Sequence, residues 1–179
     1  MPRVVGTDPG TGSLDLLLLL DGLVADQVRL PPDADPSSLL DLLHRWGPLD
    51  LIAGPSGYGL PLVPSRDATD RDLALMSLVR DDERGRSLGV GGFSGWLKAL
   101  ASSDLPVVFL PGGIHLPTIP PHRKLLTVDR GTADKVAVAA LALRLDAEAS
   151  GRPLAESTFA LVEVGSAFTA ILIIHQGEI

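Results

Sequence analysis

The 179-residue chain reads as an α/β fold, a mixed sheet in the order βββαβαβα followed by one further β-hairpin. Three observations predict it. The first thirty residues hold three short apolar runs joined by tight turns, the second of them Asp21-Gly22, a strong hairpin signal. Compact apolar runs at residues 49–53 and 105–110 then alternate with segments of helical periodicity. Finally, the end of the chain repeats its beginning in register, with a spacing of 12 from loop glycine to turn glycine in both copies, Gly10 to Gly22 and Gly165 to Gly177.

Taken in order, residues 3–8 form an apolar strand and 9–13 a turn. Residues 14–20 form a second strand, reversed at Asp21-Gly22 into a third over 23–30. After a loop, Pro36-Ser37-Ser38 opens a helix running to about Trp46, with Pro at a position where its missing N–H costs nothing. Residues 49–53 are a buried strand that ends in Gly54-Pro55-Ser56-Gly57-Tyr58-Gly59. Helices are expected over 70–79 and 93–101, and the charged run 80–86 between them reads as a solvated surface. Residues 105–110 form another buried strand, 111–124 a Pro-rich irregular segment, 133–149 a long helix, and 159–174 strands again.

Composition bounds the function classes. The chain is 45% hydrophobic and 4% aromatic, which suits packed strands and helices rather than disorder. A net charge of -7 with no basic block argues against a broad nucleic-acid footprint. No cysteine is present, so disulfides and thiolate metal sites are excluded. The leucine run 16–20 is too short to span a bilayer, and a soluble, cytoplasmic protein without membrane partners is expected.

The repeat is where chemistry enters. Asp8-Pro9-Gly10-Thr11 corresponds to Glu163-Val164-Gly165-Ser166, each after an apolar strand, and 16–19 correspond to 171–174. Gly12 and Ser13 complete the first loop. A glycine turn with a hydroxyl neighbour lets backbone N–H groups approach phosphate oxygens, and the strand-ending carboxylate can hold a hydrated Mg²⁺. Two such hairpins facing across a cleft would clamp ATP, with Asp8 and Glu163 as metal ligands.

These motifs resemble the acetate and sugar kinase/heat-shock-70/actin superfamily, with residues 8–13 as its first phosphate motif and 163–169 as its second. Gly-Thr-Asp-Pro-Gly-Thr, Gly-Pro-Ser-Gly-Tyr-Gly-Leu-Pro and Gly-Thr-Ala-Asp-Lys-Val-Ala-Val-Ala together are similar to a prokaryotic family of predicted butyrate kinases. The resemblance implies an actin-like ATPase fold related to that of ribonuclease H. Residues 1–157 would be its first domain, and 158–179 the opening hairpin of a truncated second domain, inactive alone. It also implies a kinase of small carboxylates, using ATP and Mg²⁺, with homodimer formation left open.

The run Gly113-Ile114-His115-Leu116-Pro117-Thr118-Ile119-Pro120, followed by Gly131-Thr132-Ala133-Asp134-Lys135, is similar to segments of acetate kinases. Those enzymes place an essential Asp four residues before the histidine, where this sequence has Pro111. His115 is a candidate to donate to developing phosphoryl charge, or else a tether of its Pro-rich loop. Asp134 is a candidate catalytic carboxylate, or else a helix-start residue favourable to the dipole. Ser56, Tyr58 and Arg123 are candidate substrate contacts on loops. Two rival functions remain: a Holliday-junction-resolvase-like nuclease, which also opens on Gly-Thr-Asp-Pro-Gly, and a non-catalytic ATP-binding sensor.

Overall fold

The computed structural model describes residues 1–10, 12–54, 56–78, 90–126, 130–165 and 169–179. Thr11 and Ser166 of the two predicted phosphate loops, Pro55, Val79 and the charged run 80–86 lie outside these residues.

The first three strands, β1 (Arg3–Pro9), β2 (Leu14–Leu20) and β3 (Leu23–Leu30), form an antiparallel meander. β2 buries Leu14, Leu16 and Leu18 on one face, the two-residue period that fixes its register. The β2–β3 turn puts Asp21 at φ 53° and Gly22 at φ 82°, both left-handed, as a hairpin turn of primed type requires. Helix α1 (Pro36–Arg45) starts where the Asp35 side chain accepts from the Ser37 N–H at 2.8 Å. It buries Leu39, Leu42 and Leu43 at helical spacing. Strand β4 (Leu51–Gly54) then pairs parallel to β1, and β6 (Val107–Phe109) parallel to β4.

Between them lie β5 (Val63–Pro64), α2 (Asp70–Ser77) and α3 (Val90–Ala101). The sheet order is β3-β2-β1-β4-β6-β5, with β5 antiparallel at the edge. One continuous core joins the buried leucines of β2 and α1 to Ile52, Phe109, Met76, Trp96 and Leu100. Helix α4 (Ala133–Ser150) leads to the second hairpin, β7 (Phe159–Val164) and β8 (Thr169–Ile174), which forms its own two-stranded sheet.

The two hairpins share one register. Asp8 pairs with Asp15 and Glu163 with Ala170, seven residues apart in both cases. Gln176 (φ 52°) and Gly177 (φ 78°) repeat the turn of Asp21 and Gly22, closed by a His175–Glu178 bridge. Their surroundings differ. Leu16 and Leu18 are 1% and 4% exposed, whereas their counterparts Ile171 and Ile173 are 68% and 62% exposed. The face that the first hairpin buries in the core is left open to solvent in the second.

Candidate functional site

Strands β1, β4 and β6 run parallel, so their carboxyl ends open on one edge of the sheet, the usual approach for ligands in open α/β folds. Asp8 stands at the end of β1. The loops after β4 and β6 are locked together through glycine backbones. A Cβ on Gly59, whose φ is +76°, would lie 2.1 Å from the Gly112 nitrogen, and one on Gly112 would lie 2.1 Å from the Tyr58 carbonyl oxygen. Gly113 donates to the Gly131 carbonyl at 3.0 Å, and a Cβ there would lie 2.0 Å from the Arg130 oxygen. Only residues without side chains allow three loop backbones to pack this closely. The first N–H of α4, from Ala133, is donated to Gly57 at 2.7 Å, which anchors the helix start to the β4 loop.

That anchoring places Asp134 and Lys135, in the first turn of α4, beside the second hairpin. The Lys135 ammonium donates to Asp134 Oδ2 and to Glu163 Oε1, each at 2.7 Å, with only 9% of its side chain exposed. Thr132 donates from its hydroxyl to Asp134 Oδ1. Burial is the largest single influence on Lys135 and works against its charge, but the hydrogen bonds and charges of Asp134 and Glu163 outweigh it and raise the pKa. The other Glu163 oxygen, Oε2, is buried without a hydrogen-bond partner.

Asp8 completes the group electrostatically. Asp8 is exposed near the end of β1. Partial desolvation, then the Asp134 carboxylate, push its pKa above the ordinary aspartate value, opposed by Lys135 and helped by Asp15 and Glu163. Asp134 and Glu163 thus share one ammonium, and the charge on Asp8 is coupled to the same residues.

The remaining candidates lie as follows. Gly10 closes the first loop by donating to the Ser13 carbonyl at 2.8 Å, while Gly12 and Gly165 are exposed. Ser56 is buried, and its hydroxyl donates to the Leu110 carbonyl. His115 Nε2 lies 3.0 Å from the Gly59 carbonyl, so the tautomer protonated there donates to it and ties the β6 loop to the β4 loop. This is the loop tether that the sequence reading left open beside the phosphoryl contact. Tyr58 is half-buried, its N–H donating to Met76 at 3.1 Å. Arg123 is exposed, on a short 3₁₀ turn, and its neighbour Lys124 is bonded to the Leu116 carbonyl. Lys135 stands in the family-like motif in the sequence but had no role assigned to it there. The available signal was its place, because a cation in the first turn of a helix opposes the dipole and needs a carboxylate partner.

The sequence model for "Protein of unknown function (DUF1464)" matches residues 6–179, nearly the whole chain. The chain belongs to the DUF1464 family. No curated protein matches it in sequence. Among solved structures, this DUF1464 chain is similar to an acetate kinase from Porphyromonas gingivalis, with a TM-score of 0.55 at 15% identity, over 99% of this chain and 56% of that one. It is also similar to an acetate kinase from Entamoeba histolytica, with a TM-score of 0.51 at 8% identity, over 98% and 53% respectively. The DUF1464 chain therefore spans little more than half the length of the acetate kinases it matches. At these identities the likeness shows the fold, and that fold is the actin-like ATPase fold of acetate kinase.

Proposed function

We propose that this protein is an ATP-dependent phosphotransferase of small carboxylates, akin to acetate and butyrate kinases. The observation that supports it best is the pair of glycine hairpins in one register, with Asp8 near the end of a strand in the first and Glu163 near the end of a strand in the second, Glu163 being bonded to the start of α4. In this reading the two glycine hairpins grip the phosphates of ATP through backbone N–H groups. Asp8 and Glu163 hold Mg²⁺ through hard carboxylate oxygens, and the unpaired Glu163 Oε2 and the excess negative charge suit that ion. Among the described residues no three such side chains form a self-sufficient metal site, so the phosphates and water would complete the shell. Bound Mg²⁺ would neutralise charge on the transferring phosphoryl group, and the residues themselves would act by position and electrostatics. Residues 158–179 would open a second domain, whose helices would cover Ile171 and Ile173 as the core covers Leu16 and Leu18.

One observation favours the ATP-binding sensor as a second reading. Ser56 and His115, the groups expected near an acceptor, both spend a polar atom on loop carbonyls. Thermal shift separates the two readings. Stabilisation by Mg-ATP and further stabilisation by acetate or butyrate, with transfer of label from ATP to the carboxylate, supports the kinase. Stabilisation by Mg-ATP alone supports the sensor. No stabilisation by Mg-ATP removes both.

A further inference from the structure

Helix α4 and strand β7 lie side by side and are pinned at both ends. Towards the end of α4, Asp146 accepts from the Ser157 hydroxyl at 2.7 Å, just before β7 begins. In the first turn of α4, Lys135 donates to Glu163 at 2.7 Å, one residue before β7 ends. The pins are 11 residues apart on the helix, about 16 Å at its rise per residue, and six apart on the extended chain, about 20 Å. The strand therefore runs back along the helix. The turn end of the hairpin has bonds of its own, from the Gly177 N–H to the Ser157 carbonyl at 2.9 Å and from the Gln176 N–H to the Thr158 hydroxyl at 3.1 Å. The loop end, which leads to Gly165, is held to α4 by the ion pair. We propose that Lys135 is a positioning residue, which fixes the loop end of the second hairpin against the start of α4 and so sets its distance from the loops after β4 and β6. This rests on the nucleotide-site reading above and deepens it, because it assigns what holds the second jaw of the clamp.

Two features separate this ion pair from a surface bridge. The second hairpin is a two-stranded sheet apart from the six-stranded one, and a lone hairpin is marginal, so its position depends on its ties to α4. Its outer face, with Val162, Ile171 and Ile173, is exposed and adds no support. The cation is also costly where it stands. It lies in the first turn of a helix, which the dipole disfavours, with 9% of its side chain exposed. Glu163 spends Oε1 on the pin, and its Oε2 has no hydrogen-bond partner, so the carboxylate is held while one oxygen stays available to a ligand. The path continues into the body of the fold. Asp134, bonded to the same ammonium, accepts from the Thr132 hydroxyl, and the Ala133 N–H between them reaches Gly57. The ion pair thus joins the second hairpin to the loop that carries Ser56 and Tyr58.

The test compares wild type, Lys135→Met and Lys135→Arg by amide hydrogen exchange without nucleotide, and by calorimetric titration with Mg-ATP. In Lys135→Met the amides around Glu163 and Ala170 should exchange at least about tenfold faster, while those of β1, β2 and the 175–177 turn keep their wild-type rates. Mg-ATP affinity should fall by at least about tenfold in the same variant, within the range for coupled neighbours, and Lys135→Arg should restore both. Unchanged exchange around Glu163, or an equal rise throughout the chain, overturns the proposal, because Lys135 would then hold nothing or only add general stability. Local loosening with unchanged Mg-ATP affinity overturns it as well. Should Lys135→Met fail to fold, Glu163→Gln is read in its place. Local loosening there supports the pin, and wild-type exchange overturns it. If wild type itself binds no Mg-ATP, the nucleotide reading falls and the positioning role with it, while the exchange rates still show whether the ion pair holds the hairpin, so the two failures are told apart.

Discussion

At the residue scale, two kinds of position follow different rules. The glycines that lock the β4, β6 and α4 loops answer to packing. Gly112→Ala would force a Cβ to within 2.1 Å of the Tyr58 oxygen, and backbone cannot yield as a side-chain tip can. Denaturant unfolding should show a loss of about 1–3 kcal/mol or more, the range of overpacked interiors. Asp8, a proposed metal ligand, is held at some expense of stability. Its carboxylate is held above its ordinary pKa, which means that the charged form is disfavoured in the fold at neutral pH. Asp8→Asn should accordingly raise the melting temperature in metal-free buffer at pH 7 while removing the response to Mg-ATP. A fall in melting temperature would show that Asp8 is structural. The acid itself was legible in the sequence from its place before a glycine turn. The ion pair of Lys135 with Glu163 was not, because it joins residues 28 apart through the tertiary fold.

At the element scale, local chemistry explains most of what could be read in advance. β2 and β3 fall at the predicted bounds because the alternating burial of β2 and the Asp-Gly turn that follows it agree. β5 could not be read, since it is two residues long and ends on Pro64, which has no N–H to donate and suits an edge. β4 begins at Leu51 and β6 spans only Val107–Phe109, narrower than their apolar runs, because only those residues find parallel partners. α2 is set by a capping box: Thr69 donates its N–H to Asp72 at 2.9 Å, and the Asp72 N–H returns a bond to Thr69 Oγ1 at 3.3 Å. The Thr69 backbone bond, then its hydroxyl, lower the Asp72 pKa. Stability from this carboxylate is therefore present above its unfolded value, near 3.8, and is lost as pH falls through the lower folded value. Asp72→Ala should cost about 0.5–2 kcal/mol at neutral pH. The difference from wild type should narrow in acid, as followed by urea unfolding across that range. An unchanged difference at low pH would mean that packing, not the cap, is what the substitution removes.

At the scale of the whole molecule, the repeat joins sequence to fold, since two hairpins with one register are built into unlike surroundings. Leu16→Ala should cost about 2–5 kcal/mol, as for a buried leucine, and Ile171→Ala at the equivalent place no more than about 0.5 kcal/mol. Ile171→Lys should be tolerated, and should reduce any concentration-dependent self-association seen by sedimentation, because it breaks an open apolar face that also includes Val162 and Val164. The doubling was legible because glycines and apolar strands recur at fixed spacing. The unequal covering was not, because burial depends on what packs from elsewhere in the fold. If the two hairpins act together on one phosphate group, as proposed, the thermal shift by Mg-ATP in wild type, Asp8→Asn and Glu163→Gln reads it directly. At a concentration about 100 times the dissociation constant, wild type should gain about 2.7 kcal/mol, roughly 5–11 °C. Each substitution, one on either hairpin, should remove most of that gain. A shift that survives in either variant, or no shift in wild type, would contradict a two-jawed phosphate clamp.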